Sequence, residues 1–169
     1  VLHEQTQKAG IASKIISSIA KKTCVSFKSS ADFFPKNKIV VTGNPIRDEI
    51  FESNIKISIP EGRTIYVTGG STGSHFINSI IYETLPELVS DFVIIHQTGE
   101  SLKFRDFEKL ANLKKTLPQN LQDRYLLRKF IYPDEIGDVF KKADLIISRS
   151  GANIIFEIMA TQKMSLLIP

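Results

Sequence analysis

From Arg63 to Pro169, short β-branched runs alternate with amphipathic stretches of helical length, and no other feature of the sequence restricts the fold as much. Thr64–Thr68, Phe92–Ile95, Tyr125–Ile131, Asp144–Ile147 and Met164–Ile168 read as strands. Between them, Phe76, Ile77, Ile80, Ile81, Leu85 and Leu88 mark one helix, and a lysine-rich stretch from Glu100 to Leu117, ended by Pro118, marks a second. Asp134–Lys142 and Asn153–Thr161 supply two more. Strands spaced by helices of this length need right-handed crossovers, so the sheet is expected to be parallel with helices on both faces. The expected fold is α/β and Rossmann-like.

The preceding residues are organised differently. Val1 to Gln7 begins as the end of a strand, and Ile11, Ile15, Ile16 and Ile19 then fall on one helical face, followed by Lys21-Lys22. A helix covering a sheet is the expectation, and a basic amphipathic helix on a membrane is the alternative. Strands are expected at Thr23–Phe27 and Lys38–Val41. Gly43-Asn44-Pro45 is strong punctuation, because proline biases the residue before it away from helix. A domain boundary is therefore placed here, giving domains 1–45 and 46–169. Arg47 to Ile59 is charged and weakly periodic, closed by Pro60-Glu61-Gly62. Val1 is not a methionine, and the chain stops on the apolar run Ser165-Leu166-Leu167-Ile168-Pro169, so a piece of a longer protein is expected.

Composition narrows function only loosely. A net charge of +4 suits an anionic ligand or surface without choosing one. The single Cys24 excludes an internal disulfide, and no metal-ligand spacing is present. No run approaches the roughly 18 apolar residues of a membrane span.

Two loops are candidates for an anionic ligand. Gly69-Gly70-Ser71-Thr72-Gly73-Ser74 follows a strand and opens a helix, as a phosphate-cradling turn does. It is not a P-loop, since Ser74-His75 stand where Lys-Ser/Thr is needed, and its glycine spacing is not the dinucleotide fingerprint. By itself it is equally well a plain tight turn. Ser148-Arg149-Ser150-Gly151-Ala152 is the second loop, leading into a helix where Glu157 stands among Ile154, Ile155, Phe156 and Ile158. A carboxylate there is either solvated or aimed at a polar partner, and the two hydroxyls of a ribose suit it. Arg47, just past the Gly-Asn-Pro turn, is either an ordinary surface arginine or a fork for a diphosphate. His3 and His96 lie near strand ends, where a general base or a structural histidine are both at home.

Taken in order, His3-Glu4-Gln5, Gly43-Asn44-Pro45-Ile46-Arg47, Gly69-Gly70-Ser71-Thr72-Gly73, His96-Gln97-Thr98-Gly99, Phe130-Ile131 and Ser148-Arg149-Ser150-Gly151-Ala152 with Glu157 resemble, over essentially the whole chain, the bacterial MurG family of peptidoglycan N-acetylglucosaminyltransferases. The resemblance implies a GT-B glycosyltransferase, with two Rossmann-like domains facing across a cleft. Residues 1–45 would be the tail of the acceptor domain, and 46–169 most of the donor domain. The implied reaction moves GlcNAc, with inversion, from UDP-GlcNAc to the 4-hydroxyl of MurNAc in undecaprenyl-linked lipid I. The product is lipid II, formed in peripheral contact with the cytoplasmic membrane face. No nucleic acid, cofactor or metal is implied.

By the family's pattern, Arg47 and Ser71 would contact the UDP phosphates, the backbone of Ile131 would read the uracil edge, and Glu157 would take the ribose hydroxyls. Gly70, Thr72, Gly73, Ser150, Gly151, Ala152, Asn153, Ile154, Ile155 and Phe156 would complete the donor grip, with His3, Glu4, Gln5 and Thr6 on the acceptor side. The catalytic base is unassigned. The chain departs from the pattern at Thr6, where the family has Asn, and at Thr72, where it has Gln. The family's N-terminal glycine-rich loop, its Gln-rich sugar-binding segment and its closing helices are also missing. The polypeptide alone is therefore expected to lack transferase activity. Rival readings are another nucleotide-sugar glycolipid transferase, and a non-catalytic nucleotide-sugar-binding module that needs a partner chain.

Overall fold

The computed structural model describes residues 1–53, 57–101 and 103–169. The chain forms two compact units, Val1–Ile46 and Arg47–Pro169. In the first, β1 (Leu2–Glu4), β2 (Thr23–Val25) and β3 (Ile39–Val41) make a parallel sheet in that order, with α1 (Ile11–Ile19) between β1 and β2. Helix α1 departs from expectation. Its isoleucines do not cover the sheet: Ile11 is 79% and Ile19 83% exposed, while Ser17 is the residue it buries. Periodicity establishes that a helix has an apolar face, but not what that face meets.

The second unit is a five-stranded parallel sheet built from β4 (Thr64–Thr68), β5 (Val93–Gln97), β6 (Tyr125–Arg128), β7 (Leu145–Arg149) and β8 (Met164–Ile168). Its strand order is β6-β5-β4-β7-β8. The connecting helices are α2 (His75–Asp91), α3 (Asp106–Thr116), the short α4 (Gln119–Gln122), α5 (Pro133–Lys142) and α6 (Ala152–Thr161). Side chains alternate across the strands. One face presents Ile65, Val67, Ile94, Tyr125 and Leu127 to Ile77, Ile81, Leu85 and Val89 of α2 and to Leu110 of α3, forming the main core. On the opposite face Tyr66 meets Phe140 of α5 edge-on, with ring centroids 6.0 Å apart.

Several boundaries differ from the sequence reading, β5 running on to Gln97 and β2 stopping at Val25 among them, and four differ for a local reason. Phe92 ends α2 instead of opening β5, its N–H bonding the Leu88 carbonyl at 2.9 Å. Helix α3 begins only at Asp106, after Arg105 takes a left-handed conformation with φ 53°. Strand β6 stops at Arg128: the Lys129 carbonyl still accepts from the Gly99 N–H, but the N–H of Ile131 goes to a side chain and not to a neighbouring strand. Strand β7 runs on through Ser148 and Arg149, which pair with Leu167 and Ile168, so the turn itself is only Ser150-Gly151. Within the weakly periodic stretch, Asp48–Phe51 is a single 3-10 turn, while 54–56 lie outside the described residues.

That 3-10 turn packs onto α5 at Gly137, where a Cβ would sit 1.5 Å from the Glu52 carbonyl oxygen. Only glycine permits this approach. It anchors the segment that carries Arg47.

Candidate functional site

The strand order reverses direction at β4. From there the chain proceeds outward to β5 and β6, then crosses back to β7 and β8 on the other side. In an open parallel sheet the crevice at the carboxyl ends of the two strands flanking such a switch is where ligands bind. Here those strands are β4 and β7, and the loops that leave them are the two candidate loops.

The first loop is a tight turn. Gly73 donates its N–H to the Gly70 carbonyl at 3.1 Å, and Gly70 donates its own to the Thr68 hydroxyl at 3.1 Å. Ser74 caps α2 by accepting from Ile77. Ser71 and Thr72 stand exposed at the tip. Gly73 adopts φ +79°, and a Cβ on it would lie 2.0 Å from the Thr98 carbonyl oxygen, so the turn is seated directly on the backbone after β5. The second loop delivers the start of α6, with Gly151 at the N-cap and no acidic residue in the first turn. The positive end of the helix dipole therefore meets no acidic side chain of its own first turn. Gly151 itself has φ −73° and room for a Cβ, so the turn does not require glycine there.

Arg47 and Glu157, assigned separate tasks from sequence, are bonded to each other. Arg47 Nε meets Glu157 Oε1 at 2.8 Å, and Nη2 meets Oε2 at 3.1 Å. Glu157 is buried, whereas the Arg47 side chain is 40% exposed. This side-on pairing uses two of the five guanidinium donors, and the remaining edge is still a fork that fits a phosphate. It uses two of roughly four carboxylate lone-pair positions, which leaves acceptors for a diol. Each residue can thus serve its assigned ligand while orienting the other. Tyr66 lies in the field of this pair; burial, the largest influence on it, pushes its hydroxyl up to about 12, with Glu157 adding to the rise and Arg47 opposing it.

Ile131 is buried beyond the end of β6, and Phe156, Ile154 and Ile155 lie half-buried along α6. Sequence reading missed one residue among them. Gln97 appeared only inside the motif His96-Gln97-Thr98-Gly99, yet its side chain bonds both Gly70 and Ile131. A glutamine at the last position of a buried strand, beside glycine turns, is the available signal.

His96 is structural. It is fully buried, and burial lowers its pKa to about 3. Asn78 donates its amide hydrogens to Thr98 O and Asp106, so its Oδ1 must accept from His96 Nε2 at 3.0 Å. His96 Nδ1 is then the acceptor for the Tyr125 hydroxyl at 2.8 Å. Asp106 in turn bonds His75 Nδ1 at 2.9 Å, and the His75 ring stacks on Phe104. The chain of bonds fixes the backbone under Gly73.

In the first unit, His3 Nε2 donates to the Gly43 carbonyl at 3.1 Å, and Gln5 is exposed. Glu4 is occupied locally. Its carboxylate accepts from the Thr6 N–H at 3.0 Å, lies 2.7 Å from the Thr6 hydroxyl, and accepts from the Gly10 N–H at 3.3 Å. Burial pushes its pKa up, but the bonds from Thr6, Ser13 and Gly10 together outweigh that and hold it at about 2. A carboxyl lowered from 4.5 contributes stability that is complete above the unfolded value and disappears as pH falls through about 2. Amide exchange at Thr6 and Gly10, corrected for intrinsic rates, should therefore lose protection between pH 4.5 and 2, and Glu4→Gln should flatten that dependence.

Comparison with known proteins gives the family. The model of the glycosyltransferase family 28 C-terminal domain matches residues 64–169. The chain is similar, at 36% identity over 176 aligned positions, to a Clostridium botulinum protein named UDP-N-acetylglucosamine–N-acetylmuramyl-(pentapeptide) pyrophosphoryl-undecaprenol N-acetylglucosamine transferase. A Bacillus thuringiensis protein of the same name, numbered 3, is 34% identical. Each alignment covers 100% of this chain and 46% of the relative, so the chain spans about half the length of the curated relatives it matches. It is also similar to the crystal structure of Acinetobacter baumannii MurG, with a TM-score of 0.64 and 28% identity, covering 99% of this chain and 45% of that one. The MurG-like, GT-B architecture is thus supported by sequence and by structure, and the chain belongs to glycosyltransferase family 28.

Proposed function

We propose that this chain supplies the UDP-sugar grip of an inverting N-acetylglucosaminyltransferase. In the reaction, GlcNAc passes from UDP-GlcNAc to the 4-hydroxyl of MurNAc in lipid I, giving lipid II at the cytoplasmic face of the membrane. The observation that carries this reading is the Arg47–Glu157 pair in the unit whose switch point is flanked by the glycine turn and the start of α6. The names of the relatives supply the sugar and the acceptor. Residues 1–45 belong to the acceptor side and 46–169 to the donor side. An undecaprenyl-linked acceptor brings with it peripheral contact with the membrane.

The donor residues have distinct tasks. The Ile131 backbone reads the base, Glu157 accepts from the ribose diol, and Arg47 with Ser71 holds the diphosphate. As the anomeric bond breaks, negative charge grows on the departing UDP. The first turn of α6 and the Arg47 fork meet that charge with dipoles and donors already in place. The turn at Gly70, Ser71, Thr72 and Gly73 brings its backbone to the same phosphates. Inversion needs a base on the acceptor side to take the attacking hydroxyl's proton.

Calorimetric titration tests the reading. UDP and UDP-GlcNAc should bind this chain with a dissociation constant below about 1 mM, the weaker end of ordinary ligand affinity. GDP should bind at least tenfold more weakly. Equal binding of UDP and GDP would overturn the assignment.

A further inference from the structure

Gln97 closes β5 and is 8% exposed, with both ends of its amide engaged. Its Nε2 donates to the Gly70 carbonyl at 3.0 Å, and its Oε1 accepts from the Ile131 N–H at 3.0 Å and, at 3.5 Å, from the Tyr66 hydroxyl. The orientation follows from chemistry. A backbone N–H only donates and a carbonyl only accepts, so the flipped amide would set like against like at both ends. Ile131 stands outside the sheet ladder, and what holds its N–H is this side chain instead of a neighbouring strand.

The peptide on the other side of Ile131 is held as well. The Tyr132 N–H donates to Glu135 Oε2 at 3.0 Å, and the chain has no cis peptide bond among the described residues. In a trans peptide the carbonyl points opposite its N–H. The Ile131 carbonyl is therefore aimed away from Glu135, while its N–H is committed to Gln97.

We propose that Gln97 is a positioning residue that sets the preference of the site for uracil over cytosine. The inference rests on the reading above, in which the Ile131 backbone meets the base. With its N–H held by Gln97, Ile131 offers the base an acceptor, its carbonyl. Uracil presents N3–H to an acceptor, whereas cytosine presents a lone pair there, and two acceptors facing each other in a buried site are unfavourable. Gly70 anchors the far end of the amide, so the element that holds the phosphate turn also steadies the base-reading peptide.

The test compares UDP with CDP by calorimetry on this chain and its variants. Wild type should prefer UDP at least tenfold. Gln97→Met keeps the volume and loses all three of these bonds, and it should reduce the preference to about threefold or less. Gln97→Glu still accepts from Ile131, although its second oxygen now faces the Gly70 carbonyl, and its added charge acts on both diphosphates alike and cancels in the ratio, so it should recover part of the preference that Gln97→Met loses. Should Gln97→Met not fold, Gln97→Asn, one methylene short of Ile131, carries the same expectation. A strut without a positioning role would weaken UDP and CDP equally and leave the ratio unchanged, which would overturn the inference. So would a Gln97→Glu ratio no better than that of Gln97→Met. A wild-type chain with no preference for UDP overturns the UDP-sugar reading itself, and the inference with it.

Discussion

Glu157→Ala should weaken UDP binding by about a hundredfold, the combined loss of two charge-assisted hydrogen bonds to the ribose and of the partner that orients Arg47. Arg47→Ala should weaken it comparably, by removing the phosphate fork. The double variant should be little worse than either single one, because each substitution already disables the shared pair. Stability should respond unequally. Removing Glu157 leaves an arginine that is already 40% exposed and easily solvated. Removing Arg47 leaves a buried carboxylate without its cation, expected to cost about 3 kcal/mol. Thermal melts and calorimetry on the three variants check both halves. Full additivity in binding would show that the two residues do not act together.

Gly73→Ala is the second large effect. The new methyl would lie 2.0 Å from the Thr98 carbonyl oxygen, a backbone atom held by the Asn78 amide, on a residue at φ +79°. Overpacking and left-handed strain add, so a loss of about 3 kcal/mol is expected, seen as a fall in Tm of roughly 10 °C. UDP affinity should fall with it, since the turn cannot keep both its seat on Thr98 and its backbone geometry. Gly151→Ala is the internal control: with φ −73° and only Ile154 near the added carbon, it should fold as wild type does.

The contrast between those two glycines shows what a sequence carries and what it does not. Both stand in loops that punctuation identifies, yet only the neighbouring backbone makes one of them obligatory. Strands β4, β5 and β8 and helices α2, α5 and α6 were legible because apolar spacing follows directly from which face is buried. Endings were less so. Strand β6 closes at Arg128, short of Ile131, whose N–H is captured by a side chain from another strand, and Arg149 prolongs β7 because β8 pairs with it. The isoleucines of α1 illustrate a further limit, as amphipathicity does not reveal what an apolar face meets.

At the candidate site, residue types were readable and partnerships were not. Arg47 and Glu157 each stood out for their chemistry, but they are 110 positions apart, and nothing local announces that they meet. Gln97 was hidden more completely. A neutral amide draws attention only when both ends are seen to be bonded, which requires the positions of Gly70 and Ile131 at once.

The most direct test of the central claim is a crystal structure of this chain with UDP. The diphosphate is expected between the Gly70–Gly73 turn and the first turn of α6, within reach of Arg47, with the ribose hydroxyls on Glu157 and the base against Ile131. Nucleotide bound elsewhere, for instance in the cleft of about 380 Å³ that Asn78, Tyr82, Asp106 and Lys109 line between α2 and α3, would contradict the account.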